Sequence, residues 1–370
     1  MKKRLNAIEK SFLPILLLFH ITGLQSVQNN GFQCQARFNR FIWESPRYLF
    51  RLLQCVGIVT EAFSIVFLPE KKVPTAVFIL ALLQVIANLQ ACRSRKQIRV
   101  ILMKLWKCTQ MLQCDHNGRK LKASILSYCF VMMVMFISYV LFYKFSNEFK
   151  MYQNFIENSN HSFPKSNQYL MFIPHIREIA SPTTTALGMI SLTAYYGFVC
   201  FYIKFLFNGM EEKIRNLNKD SSYDVLLIQS YLELTSIMKS LDDYLCFSAF
   251  VIVISAMFGL FFVNFDVIFL SSDYIRNFIG EIWFFVSLCM VILSASAANS
   301  AFITAKEAVQ LLPWKIPQYH KQLKVMIRSE CMTDLSLTLW KTYKIERSLI
   351  FGAMGTLVTY GLLLATLNGL

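Results

Sequence analysis

The chain has 370 residues, of which 55% are apolar, 15% aromatic and only 16% charged, and its mean hydropathy is +0.44. Soluble domains carry about a quarter charged residues, so this composition excludes a water-soluble enzyme, a disordered chain and a disulfide scaffold, while 13 Gly and 9 Pro exclude collagen-like or linker-like sequence. The net charge of +15 would suit nucleic acid if the basic residues shared a soluble face, but they fall between apolar segments, where they signal topology instead.

The chain opens Met1-Lys2-Lys3-Arg4 and passes into an apolar run at 12–18. That start has the form of a secretory signal, whose removal would put the new terminus outside. The reading that agrees with the rest of the chain is a short helix, broken near Pro14 and Gly23, at the inner membrane surface with its apolar side in lipid. A hydrocarbon layer about 30 Å thick takes roughly 20 apolar residues in helix. Seven stretches qualify, at 49–68, 73–92, 125–145, 182–207, 245–270, 281–304 and 348–367. Backbone groups find no water in lipid and the strands of a barrel are not apparent, so all seven are predicted helices. The expected class is an all-α, polytopic membrane protein.

Cytoplasmic connections collect Lys and Arg. Twenty-eight of the 37 lie before 49 or in 93–124, 208–244 and 305–347, against six in 69–72, 146–181 and 271–280. This predicts a plasma-membrane protein with a cytoplasmic amino terminus and an extracellular carboxyl terminus. The Asn160-His161-Ser162 sequon then lies outside, where Asn160 is the expected glycosylation site. None of the ten cysteines falls in an external connection, so reduced thiols are expected.

The internal connections carry helical periodicity. Ile98, Ile101, Leu102 and Leu105 share one face of 97–114, and Tyr231, Leu234, Ile237 and Leu241 one face of 225–244, so the adjoining spans should continue as helices into the cytoplasm. The Arg93, Arg95, Lys96 and Arg99 cluster fits contact with anionic membrane lipid rather than nucleic acid.

The five histidines are scattered with no metal-ligand spacing, and phosphate-binding loops and nucleophile elbows are absent. The acids that stand out at membrane depth are Asp266 and, at the outer edge of its span, Glu281; two acids do not make a catalytic set. No cofactor or metal is implied, and an enzyme is the last reading to consider.

In the last span Thr356, Thr359, Leu363 and Thr366 recur at steps of three, four and three, a mildly polar stripe on an apolar helix, while Ser348, Gly352 and Gly355 form a flat strip. Periodicity alone allows ordinary close packing of helices or a narrow wettable path, and favours the packing. Seven spans with an inside amino terminus, a short external tail and Thr359-Tyr360 followed by five apolar residues resemble the arthropod gustatory receptor family. That family's last span carries Thr-Tyr, five hydrophobic residues, then Gln-Phe; here the final pair is Thr366-Leu367. The Phe12-Leu13-Pro14 and Thr22-Gly23-Leu24 segments also look like family usage, and Gly361 argues against the sugar-receptor branch, which has Glu there.

The resemblance implies the insect-chemoreceptor channel fold and a ligand-gated, non-selective cation channel, a homotetramer or a heterotetramer with related subunits. Its pore and gate would be lined by Thr356, Thr359, Tyr360, Leu363, Thr366 and Leu367. It further implies a ligand pocket enclosed by helices one to six, cytoplasmic extensions that join subunits, a small-molecule tastant as partner, and no need of a G protein. The expected organisation is a cytoplasmic segment over 1–48, a sensing bundle over 49–304, an anchor segment over 305–347 and the pore helix with its tail over 348–370.

Topology selects the outer-half candidates for the pocket: Tyr139, Tyr143, Thr184, Phe262, Asn264, Asp266 and Trp283. Single Tyr and Trp residues near a membrane surface also serve as interfacial belts. Asn264 and Asp266 stand out, because a polar side chain at depth must face a cavity or a partner. The rival classes are a G-protein-coupled receptor, opposed by the charge count, and a secondary transporter, opposed by the lack of repeats.

Overall fold

The computed structural model describes residues 7–23, 37–67, 72–113, 118–145, 172–216, 224–269, 274–315, 321, 324–325, 327–328 and 334–368. Within them the main elements are α1 (Ala7–Ser11), α2 (Leu13–Ile21), α3 (Arg37–Phe67), α4 (Lys72–Arg93), α5 (Arg95–Met111), α6 (Gly118–Phe145), α7 (Phe172–Arg215), α8 (Asp224–Phe269), α9 (Tyr274–Lys315), a hairpin of β1 (Thr338–Leu339) and β2 (Tyr343–Lys344), and α10 (Ser348–Asn368). The seven predicted spans correspond to α3, α4, α6, α7, α8, α9 and α10.

Among the described residues α6, α7, α8 and α9 have the length and apolarity to cross a membrane, and α4 and α10 contribute shorter apolar stretches, Phe78–Arg93 and Ser348–Leu363. α3 is 31 residues long and carries Arg51, Gln54 and Glu61 among its apolar side chains; Glu61 is a third acid at predicted membrane depth, buried in the protein.

The trunk consists of α7, α8 and α9, with 44, 46 and 42 residues. At a rise of 1.5 Å per residue each is over 60 Å long, roughly twice the hydrocarbon thickness. The amphipathic 225–244 segment and the 245–270 span are one unbroken rod. The 97–114 segment is α5, set off from α4 by Ser94 alone; the hydrogen bonds run on through it, from Ser94 N–H to the Gln90 carbonyl (3.0 Å) and from Ile98 N–H to the Ser94 carbonyl (3.1 Å). α7 starts ten residues before Pro182, which the sequence reading placed at the start of the span. Proline within a membrane helix is tolerated where hydroxyls rebond nearby carbonyls, and Thr184 donates to the Ala180 carbonyl at 2.8 Å.

α7 is the hub. In its apolar window 89% of residues are buried, against 17% for α6, whose Leu126, Phe130, Val134 and Leu141 face outward. α9 packs most extensively on α7, then on α8. Small residues permit this: a Cβ at Gly197 would stand 2.6 Å from Met290, and Gly259 of α8 lies against the Phe284 ring of α9. Farther along, Phe207, Tyr231 and Phe302 join the three helices through ring contacts of 5.7 to 6.4 Å.

The amino-terminal helix breaks at Phe12 and Gly23. Pro14 instead sits in the first turn of α2, where no helical N–H is lost. Gly23 takes φ +74 with Arg47 beneath it, a position suited to glycine. Ile8, Phe12, Ile15 and Phe19 form a continuous buried stripe, with Phe19 5.2 Å from the Tyr195 ring of α7. That apolar face is therefore covered by protein, while Leu13, Leu17 and Ile21 on the other side remain exposed.

Candidate pore helix and ligand pocket

α10 is apolar yet barely covered. It meets α8 and, to a lesser extent, α9, and Ala353 is its one buried side chain among those described. Thr356, Thr359, Tyr360, Leu363 and Thr366 all lie exposed on it; the Leu367 side chain is outside the described set. Thr356 donates to the Gly352 carbonyl (2.7 Å), Thr359 to that of Gly355 (2.8 Å) and Thr366 to that of Leu363 (2.8 Å). Their donors are thus satisfied within the helix, and their oxygen lone pairs are left as acceptors. A Cβ built on Gly352, Gly355 or Gly361 meets nothing within 4 Å among the described residues, so no close approach to them accounts for these glycines.

The hairpin immediately before α10 ties its start to the trunk. Asn299, buried in α9, donates to the Leu337 carbonyl (3.2 Å) and the Ile345 carbonyl (2.9 Å), and accepts from Leu337 N–H (2.7 Å). From α8, the Asp242 carboxylate accepts from the Thr338 N–H (2.7 Å) and hydroxyl (2.9 Å) and pairs with Lys341 at 3.1 Å. Lys341 also bonds Asp243. That bond leads, with Asp242 adding to it and desolvation opposing, in raising Lys341 above the ordinary lysine value. Trp340 lies 5.0 Å from the Phe250 ring and 5.9 Å from that of Phe247. Trp340 and Lys341 adopt φ of 49 and 59. Such conformations persist in non-glycine residues only where the surroundings enforce them.

The predicted pocket residues divide into separate groups. Tyr139 of α6 reaches Gly280 of α9, where a Cβ would stand 3.1 Å from its ring and 3.3 Å from Val263 of α8. One turn on, Trp283 is buried edge-on against Phe284 at 4.9 Å, and its indole nitrogen has no hydrogen-bond partner among the described residues. Phe262 is half-buried beside Phe258 at 6.5 Å, and Asn264 donates to the Leu260 carbonyl of its own helix at 2.7 Å. Thr184 lies elsewhere, in a cleft among α3, α4 and α7. The side chains of Tyr143 and Asp266 lie outside the described set, and Asn160 outside the described residues.

The sequence reading missed Arg276 and Asn277, assigned to an external connection. Both are buried in the first turns of α9, where Arg276 donates from Nε and Nη2 to Asn277 Oδ1 at 3.2 and 3.1 Å. Asn299 and Asp242 were also missed; their signal was a polar side chain within or beside an apolar span. Among the described residues no group of three or more His, Cys, Asp or Glu could hold a metal.

A long three-helix trunk, flanking helices and a hairpin leading to an uncovered terminal helix constitute an all-α, polytopic fold. The insect olfactory receptor OR5 from Machilis hrabei shares it with a TM-score of 0.72 over 96% of this chain and 98% of its own, at 10% identity. The same receptor in complex with eugenol matches with a TM-score of 0.65 over 97% of this chain and 98% of its own, again at 10% identity. No protein-family model matches the chain, and no curated protein is significantly similar to it in sequence.

Proposed function

We propose that the chain is a subunit of a ligand-gated, non-selective cation channel serving as a gustatory receptor for small molecules. The carrying observation is α10: apolar, little covered by the described residues, with three glycines whose added Cβ would meet none of them within 4 Å. Four copies, or copies with related subunits, cover that helix by surrounding a common pore. Thr356, Thr359, Tyr360, Leu363, Thr366 and Leu367 then line the path and its gate. The amino terminus and the 305–347 anchor segment lie in the cytoplasm, the tail and a glycosylated Asn160 outside.

The ligand site lies around Tyr139 and Trp283, whose buried N–H suits a ligand with a hydrogen-bond acceptor on an apolar body. A small-molecule ligand is supported by the fold's occurrence in a receptor solved with eugenol. α8 provides the linkage: Val263 borders this group, and Asp242 of the same rod holds the hairpin from which α10 starts. Moving a channel from 1% to 99% open takes about 5.5 kcal/mol of differential binding. Shared by four sites this is about 1.4 kcal/mol each, the order of one hydrogen bond.

Recording from excised patches during a tastant screen tests the proposal. An agonist-evoked cation current without nucleotide is expected, with Leu363→Ala and Thr366→Ala altering conductance or reversal potential. Trp283→Phe should raise the half-activating concentration about tenfold, as loss of one such bond implies. Responses confined to intact cells and lost on excision would instead indicate a G-protein-coupled receptor.

A further inference from the structure

The strongest unsatisfied polarity in the bundle lies away from the Tyr139 and Trp283 group. Gln84 of α4 is 2% exposed and Asn88, one turn on, 3% exposed. All four of their amide nitrogens and oxygens lack hydrogen-bond partners among the described residues. Buried amides are paired as a rule, because water has been withdrawn from groups that can each make several bonds. Here the opposing element is bare backbone: a Cβ at Gly188 of α7 would stand 2.8 Å from Asn88 Nδ2 and 3.0 Å from Gln84 Nε2. No side chain of α7 can enter at that point to answer them.

Gln84 lines a cleft among α3, α4 and α7. We propose that this cleft is a second small-molecule site, which takes the hydroxyl or carbonyl head of a neutral amphiphile with Gln84 as the main hydrogen-bonding group. The walls determine the chemistry. Ile58 and Val85 are apolar, Gln54, Thr184 and Thr185 are polar, and among the described residues no charged side chain lines the space, so these walls suit a neutral head. The Thr184 hydroxyl is already donated to the Ala180 carbonyl, which leaves its oxygen as an acceptor. The cleft encloses about 250 Å³ with its open mouth included. Its interior has room for about one water, enough for a head group whose apolar body occupies the mouth. The inference concerns binding and does not depend on the chain being a channel.

Photolabelling of the full chain in phosphatidylcholine nanodiscs with 3-azioctanol, followed by peptide mass spectrometry, tests it. Adducts should concentrate at 54–58, 81–88 and 181–185 and fall about tenfold under excess octan-1-ol, the behaviour of one saturable site. Gln84→Leu should lower labelling there at least fivefold, and Asn88→Leu provides a second variant if the first does not fold. Competition by dioleoylglycerol assigns the natural occupant to the bilayer, and competition by octanol alone assigns it to a free amphiphile; both uphold the site. Labelling spread evenly over the spans, unaffected by octanol, or equal in wild type and both variants overturns it and leaves the amides to water.

Discussion

α7 and α10 are both apolar helices, yet they stand at opposite ends of the packing scale. Every residue of α7 from 191 to 200 is buried, whereas α10 buries one described side chain and exposes Phe351, Val358, Tyr360 and Leu362. α7 is covered by its own chain. α10 is built for surroundings that one chain does not supply, whether lipid or other subunits. Apolarity therefore says that a helix avoids water, and says nothing of what replaces the water.

The same substitution made in the two regions tests that contrast most directly. Gly259→Leu forces a side chain into the Phe284 ring and should destabilise the trunk by about 3 kcal/mol, read as loss of monodisperse protein and of surface expression. Gly355→Leu enters open space. It should leave the chain's stability within about 0.5 kcal/mol and weaken the proposed assembly on native gels. Equal effects at both positions would remove the distinction between trunk and terminal helix.

Asn299→Ala comes next. It removes the bonds to the Ile345 carbonyl and from the Leu337 N–H and leaves the Leu337 carbonyl only its bond from Ile345 N–H, and a cost of about 2 to 3 kcal/mol is expected in thermal unfolding, together with altered gating of any evoked current. A variant with wild-type melting and wild-type current would show that the hairpin is not what ties α10 to the trunk.

Lys341→Met has a smaller effect on stability, at most about 1 kcal/mol, because the side chain is half-exposed and screened. Its folded value lies above the ordinary 10.5, so the contribution of the pair is complete below that value and lost only as pH rises through the higher folded one. Melting temperature should therefore not respond to this pair between about pH 6 and 9. The Lys306 pair with Asp334 has the opposite sign. Hydrogen bonding to Lys306 holds Asp334 below its ordinary 3.8, so what it adds is present above 3.8 and lost as pH falls through the lowered value. Asp334 is fully exposed, and Asp334→Asn should leave melting unchanged at neutral pH.

Much of this architecture is legible residue by residue. The run of apolar side chains in 348–367 and the periodicity of 225–244 sufficed to mark α10 and the long rod of α8, because each depends on local transfer from water and on the 3.6-residue repeat. The hairpin at 338–344 was not legible. Trp340 and Lys341 are not residues that favour positive φ, and what holds them there is Asp242 and Asn299, 96 and 38 residues away from the backbone groups they bind. Of the side chains chosen by depth for a pocket, Tyr139 packs on Gly280 of α9, one turn from Trp283, while Thr184 lies in another cleft, since depth in a membrane can be counted along a chain but the neighbouring helix cannot.

The sequence by itself determined that the chain lives in lipid, how many long helices it has and where they lie, because hydropathy and helical period are properties of each segment alone. Only the tertiary structure decided which helix became the hub, which was left bare, and where Gln84 and Asn88 were brought against a glycine. Those outcomes depend on pairing between distant segments, and in an apolar solvent nearly every helix offers the others the same greasy surface until small residues and buried hydrogen bonds select among them.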